Sequence, residues 1–159
     1  MVKTEPMNSV SSSVPIIGVI GGNSCTTEVY NLAEEVGRLI AQNGAGLICG
    51  GMGGVMEAAC KGAFNAGGLT IGILPSDNPL TANSFVRIPI ATGMGIGRNI
   101  IIVRTARSFI AIDGRYGTLS EIAFALQLGK PVLSLSLWLE VPGIRKVKTP
   151  AEAVKLALQ

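Results

Sequence analysis

Residues 15–54 read PIIGVIGGNSCTTEVYNLAEEVGRLIAQNGAGLICGGMGG. The stretch opens on an unbroken apolar run, 15–21, of the kind found in a strand buried on both faces. Gly22, Asn23, Ser24 and Cys25 interrupt that run. A helical period then covers 26–43, with Val29, Leu32, Ala33, Val36, Leu39 and Ile40 recurring at spacings of three and four. Glu28, Glu34, Glu35 and Arg38 fall on the opposite, solvated side, and Gly44 supplies a C-terminal stop. A second short strand, 46–49, runs into Gly50-Gly51-Met52-Gly53-Gly54. Strand, small-residue turn, helix, strand and glycine turn in that order begin a parallel sheet with crossover helices.

Outward from this stretch the alternation continues. A helix is expected over 55–65, a strand over 69–74 closed by Pro75, a polar connection over 76–84 and a strand over 85–91. Thr92-Gly93-Met94-Gly95-Ile96-Gly97 then leads into a helix over 98–106. Strands over 108–112 and 131–135 flank a loop at 113–117 and a helix at 118–128. A short strand over 144–148 and a helix over 150–158, with Thr149 as its N-cap, complete the chain. The pattern predicts a three-layer, Rossmann-like α/β fold: a mostly parallel sheet of about six or seven strands with helices on both faces. There is no internal repeat and no sign of a second domain. Residues 15–159 are therefore expected to be a single Rossmann-like nucleotide-binding domain, and 1–14 a flexible tail.

Composition narrows the chemistry. Apolar residues make up 48% of the 159 and charged residues 14%, and a mean hydropathy of +0.48 suits a doubly covered sheet. No apolar run reaches the ~18 residues of a membrane span, and the polar 1–14 segment has no signal-peptide core, so a cytoplasmic protein off the membrane is expected. The net charge of +3, with basic residues scattered, argues against a nucleic-acid partner. Four Phe, two Tyr and one Trp promise no aromatic stacking platform. Cys25, Cys49 and Cys60 are odd in number and at no metal-like spacing. They are expected to be reduced, mostly buried thiols, and no metal site is expected. Oxidation of Cys25 or Cys49 would fall next to candidate loops. The chain has no histidine and only two aspartates, Asp77 and Asp113, so acid–base chemistry must come from very few residues.

Four loops, 21–25, 50–54, 93–97 and 113–118, leave the carboxyl ends of the expected strands and enter helices. That edge is where ligands bind in open parallel sheets. Free amides and the positive end of a helix favour phosphate there. The candidate binding residues are Gly21, Gly22 and Ser24; Gly50, Gly51, Gly53 and Gly54; Met94; and Gly114, Arg115, Tyr116, Gly117 and Thr118. A P-loop signature is missing, the first loop lacks G-x-G-x-x-G, and the second strand ends in Cys49-Gly50 rather than an acid that could hold a ribose. ATPase and NAD enzyme readings are disfavoured accordingly. Thr118 and Glu121 also read as a T-x-x-E capping box. Against that structural role, Glu121 would face the same crevice as the glycine loops, and Arg98 would sit at the same edge, able to clamp a phosphate.

These residues also resemble a family. Gly50 to Ala58 is similar to the G-G-G-x-x-G-[VL]-M-x-A element of the LONELY GUY (SLOG) superfamily, Arg98-Asn99 to its R-[KN] element, and Gly114 to Glu121 to its P-G-G-x-G-T-x-x-E element. The likeness runs over nearly the whole chain. Residues 72–75 and 92–95 resemble most closely the branch similar to the molybdenum-cofactor carrier protein. The enzymes of the superfamily are nucleoside 5′-monophosphate phosphoribohydrolases. By position, the resemblance implies that Arg98 orients substrate, that Glu121 activates water or stabilises a cationic ribosyl transition state, and that Gly114, Gly117 and Thr118 cradle phosphate. It also implies a homodimer or homotetramer. The chain departs from the pattern where Asp113-Gly114-Arg115 replaces Pro-Gly-Gly. No segment resembles a pyridoxal-phosphate lysine site, so a lysine decarboxylase is not expected.

Three readings follow. The first is a protein that binds a nucleoside monophosphate or a pterin phosphate such as molybdenum cofactor without turnover and needs no cofactor of its own. The second is a phosphoribohydrolase using Arg98 and Glu121, and the third a nucleotide-sensing module.

Overall fold

The computed structural model describes residues 13–159; residues 1–12, and with them nearly all of the expected tail, lie outside the described residues. The apolar runs form parallel strands β1 (Ile16–Gly21), β2 (Gly46–Cys49), β3 (Thr70–Leu74), β4 (Ile88–Ala91), β5 (Ser108–Ile112) and β6 (Val132–Ser136), with the short β7 (Arg145–Lys146) at one edge. They assemble into one seven-stranded sheet in the order β4-β3-β2-β1-β5-β6-β7, and every neighbouring pair is parallel. The helices are α1 (Thr27–Gln42), α2 (Val55–Asn65), α3 (Asn99–Thr105), α4 (Tyr116–Gln127) and α5 (Pro150–Ala157).

Alternation along the strands divides the interior into two layers. Ile17 and Val19 of β1, Leu47 and Cys49 of β2, and Ile110 and Ile112 of β5 pack with Val36, Ile40, Ala59 and Val154 of α1, α2 and α5. Ile20, Ile48, Phe109 and Ala111 pack with Ile102 and Val103 of α3 and Ile122 and Ala125 of α4. On the first face, α1 and α2 meet backbone to backbone. A Cβ on Gly37 would lie 1.8 Å from the Ala59 carbonyl oxygen, and one on Gly62 would lie 1.9 Å from that of Glu34.

The sheet grows outward from β1 in one direction through β4, then returns to place β5 on the other side of β1. The junction of β1 and β5 is thus the topological switch point, where neighbouring loops part and leave a crevice.

Several boundaries differ from those expected. Strand β4 starts at Ile88 rather than 85, because Asn83 turns the preceding chain: its side-chain oxygen accepts from Phe85 N at 3.1 Å and its carbonyl from Val86 N at 3.2 Å. Residues Gly95–Arg98 form a 3-10 turn, so α3 begins at Asn99. No helix among the described residues is long and apolar enough to cross a membrane.

Candidate functional site

A crevice of about 670 Å³ opens beyond the carboxyl ends of β1 and β5. Gly21, Gly22, Ser24 and Cys25 of the first loop form one wall, and Asp113, Gly114, Arg115, Gly117 and Thr118 of the fourth form the other. Arg98, Asn99 and Glu121 line it as well, with Met56 and Ile96 as apolar members. Its size suits a small organic ligand. The amino ends of α1 and α4 both abut this space, since Thr26 caps α1 by accepting from Val29 N at 3.3 Å and α4 starts at Tyr116.

The second glycine loop does not line the crevice. Gly53 N donates to Asn23 Oδ1 at 2.8 Å, and Val55 N donates to the Gly22 carbonyl at 3.0 Å. A Cβ on Gly54 would stand 2.3 Å from Gly22 O, and one on Gly50 would stand 2.7 Å from an Arg98 guanidinium nitrogen. Gly50, Gly51, Gly53 and Gly54, expected to approach phosphate, instead lie behind the crevice as a bed for the first loop and for Arg98. Glycine permits close approach by any partner, and the partner here is protein. Met94 also stands outside the lining, and Tyr116 lines an adjoining cavity.

The fourth loop departs from expectation at the start of its helix. Helix α4 begins at Tyr116, two residues early, with Arg115 in the cap position and no side-chain cap. Thr118 is therefore inside the first turn, and the expected Thr118–Glu121 capping box is not formed. The chain enters α4 by way of Asp113 at φ 54 and Gly114 at φ 115. Asp113 follows an irregularity in the β5–β6 pairing at Ala111 and Ile112, and its N–H donates to the Ser136 carbonyl. A left-handed aspartate stores on the order of 1 kcal/mol of strain. Proline, with φ fixed near −65°, has no access to that conformation, so Asp113 sets a loop path that the family's Pro-Gly-Gly pattern does not take. The start of α5 is capped by a side chain: Glu152 N donates to Thr149 Oγ1 at 3.1 Å, and the Glu152 carboxylate reaches back past the cap to accept from Lys148 N at 2.9 Å.

Arg98 and Glu121 are brought together as expected. The Arg98 side chain is held on the protein side, with Nε donating to the Ile73 carbonyl at 2.9 Å and Nη1 donating to Asn99 Oδ1. Buried Asn99 donates in turn to Ser120 Oγ at 3.1 Å, and that hydroxyl donates to Gly117 O at 2.6 Å. One hydrogen-bonded chain thus ties Arg98 to the start of α4. Glu121 is 9% exposed, and no hydrogen-bond partner for its carboxyl is found among the described residues. Loss of water pushes its pKa up to about 8, a rise that the nearby Arg98 charge only partly offsets. Burial lowers the Arg98 pKa as well, with Glu121 acting in the opposite sense. The crevice therefore sets two guanidiniums, Arg98 and Arg115, against Asp113 and a Glu121 whose proton affinity burial has raised.

The remaining polar groups nearby are structural. Tyr30 donates to Glu57 Oε1 at 3.1 Å, and its phenol is pushed up to about 12 by burial and that bond. Cys49 and Cys60 are buried with sulfurs 3.4 Å apart, while Cys25 is half-buried at the crevice with its thiol pKa raised by burial. No group of three or more metal-ligating side chains is found among the described residues. Asn23, Thr26, Met56 and Ile96 also line the crevice and were not singled out from the sequence. For Asn23 and Thr26 the signal was present, since Asn23 precedes Ser24 in the same loop and Thr26 opens the helix that follows it.

Known proteins share this architecture. An uncharacterized protein of Archaeoglobus fulgidus is 50% identical over 142 residues, which is 89% of this chain and 93% of that one. The molybdenum cofactor binding protein of the phototrophic bacterium Rippkaea orientalis superposes with a TM-score of 0.83 at 38% identity, covering 92% of this chain and 96% of its own. The molybdenum cofactor carrier protein of Chlamydomonas reinhardtii superposes with a TM-score of 0.81 at 35% identity, covering 91% and 98%. The model of the SLOG cluster4 family matches residues 14–158, and the chain belongs to that family.

Proposed function

We propose that this protein binds a phosphorylated, nucleotide-like ligand, either a nucleoside monophosphate or a pterin phosphate of the molybdenum-cofactor type, in the β1–β5 crevice and holds it without turnover as a carrier. The observation that carries the reading is Glu121: a carboxyl nine-tenths buried, without a protein partner, facing a space between two helix starts and two arginines. No fully buried side-chain N or O among the described residues lacks a partner, so the Glu121 carboxyl oxygens still reach the crevice, where a ligand meets them. When protonated the carboxyl donates to a phosphate oxygen, where an ionised carboxylate would repel the anion. Amides of Ser24, Gly117 and Thr118, with Arg98 and Arg115, supply the other donors. The named functions of the Rippkaea and Chlamydomonas proteins support a carrier role.

A second reading, the phosphoribohydrolase, draws support from the presence of Arg98 and Glu121 on one crevice. One experiment separates the two. The full chain is titrated calorimetrically with GMP, AMP and ribose 5-phosphate, and each nucleotide incubation is then chromatographed for free base. Saturable binding with no base released is the expected result. Base release that disappears in Glu121→Ala establishes the hydrolase, and no binding of any of the three overturns the proposal. Self-association as a homodimer or homotetramer belongs to the same reading and finds support in Phe124 on α4 and Leu128 at its C-cap, 43% and 40% exposed.

A further inference from the structure

The only tryptophan of the chain and one of its two tyrosines stand together in solvent beside the crevice. Trp138, after β6, is 54% exposed, and Tyr116, the first residue of α4, is 78% exposed. Their rings meet edge to face, with centroids 6.3 Å apart and planes at 88°. With Asp113, Gly114 and Arg115 they line a cavity of about 390 Å³. Those same three residues line the phosphate crevice, so the two spaces adjoin along one loop. Three residues span at most about 10 Å, a separation that a pentose-sized linker covers.

Two large aromatic side chains left in water in a chain with so few of them suggest a binding surface, and the continuity of the cavities says what comes to it. We infer that Trp138 and Tyr116 form the subsite for the planar heterocycle of the ligand whose phosphate sits against the α4 start, with Arg115 between the two ends. An indole or phenol ring offers a face to any fused nitrogen heterocycle, and Arg115 lines both cavities, so its guanidinium is shared between the ring end and the phosphate end. The inference rests on the proposed function and assigns to Tyr116 a role toward the ring rather than toward phosphate. It selects ligands that join a phosphate ester to a purine- or pterin-like ring. Guanine and pterin present the same 2-amino-4-oxopyrimidine edge, so GMP is a probe for both classes.

Because Trp138 is the only indole, its fluorescence reports on this subsite alone. The wild-type chain and the Trp138→Ala and Trp138→Phe variants are titrated with GMP and with ribose 5-phosphate, following both heat and fluorescence, with sedimentation run on each sample. GMP should quench Trp138 in the wild type, and ribose 5-phosphate should bind without that quenching. Trp138→Ala should weaken GMP about tenfold or more while leaving ribose 5-phosphate within about twofold, and Trp138→Phe should recover most of the loss. The inference is overturned if ribose 5-phosphate binds and GMP affinity is the same in Trp138→Ala. It is equally overturned if that variant dissociates an oligomer without altering GMP binding, since a second copy would then be what covers Trp138. Failure of both ligands to bind wild type removes the proposed function, and this inference with it.

Discussion

Replacing Glu121 by glutamine takes a buried titrating proton out of the crevice while keeping the shape of the side chain. In the folded chain the carboxyl pKa moves from an ordinary 4.5 to about 8. Below pH 4.5 both folded and unfolded chains hold the proton, and the wild type and Glu121→Gln are matched in charge. Between 4.5 and about 8 the unfolded chain has released its proton and the folded chain has not, so stability falls as pH rises. Above about 8 the folded carboxyl ionises too, and the full penalty is in place. At about 1.4 kcal/mol per pH unit, that interval corresponds to a ceiling of roughly 5 kcal/mol. That ceiling is a large part of an ordinary stability of about 5–15 kcal/mol, and any rehydration of the ionised carboxyl lowers the loss and the folded pKa together.

Urea unfolding of both proteins at intervals from pH 4.5 to 9 measures this. Every other titrating group is shared, so the difference between the two curves isolates Glu121. Glu121→Gln should match the wild type at the acid end, gain on it steadily above pH 5, and hold a constant advantage beyond about pH 8.5. A difference that stays flat across the range, or one that favours the wild type as pH rises, would refute the claim that the folded chain keeps this carboxyl protonated. The argument for a neutral donor to phosphate would go with it.

Two further substitutions test the framework around the crevice. Gly37→Ala should gain about 1 kcal/mol from helix propensity alone, yet its Cβ meets the Ala59 carbonyl at 1.8 Å. Net destabilisation of about 2 kcal/mol or more in urea is expected, and a stabilised protein would refute the close α1–α2 contact. Gly114→Ala forces a side chain into φ 115 and places its Cβ 2.2 Å from Thr118 Oγ1. It should lower the melting temperature and weaken ribose 5-phosphate at least tenfold; unchanged binding would show that the path of this loop does not matter to the site.

Much of the fold could be read from the chain because the central strands are buried on both faces and carry almost no polar residues, with Ser108 at the start of β5 buried and bonded to the Ala157 carbonyl. The expected limits of β2, β5 and α2 coincide with those observed. The reading lost accuracy where a single side chain redirects the backbone. Asn83 delays β4 through hydrogen bonds to the next turn, and no periodicity encodes that. The start of α4 was misplaced for a related reason. Thr118 offered a conventional cap, whereas the helix is entered through a left-handed Asp113 and Gly114 that leave Arg115 at its end.

The site was legible in kind more than in membership. Arg98, Glu121 and the first and fourth loops converge on the switch point because the strand order puts β5 beside β1, and order is a property that alternating elements nearly dictate. The glycines of 50–54 show where such reading ends. A residue without a Cβ records that something approaches the backbone closely, but not whether that something is ligand or protein. At Gly50 it is the Arg98 guanidinium, and at Gly54 it is the Gly22 carbonyl. The same limit hid the aromatic pair, since counting seven aromatic residues gives no hint that Tyr116 and Trp138, 22 positions apart, meet at one rim. The second loop therefore reaches the ligand only at one remove. It fixes the guanidinium and the first loop in place, so a side chain added at Gly50 would displace Arg98 from the crevice without itself touching anything bound there.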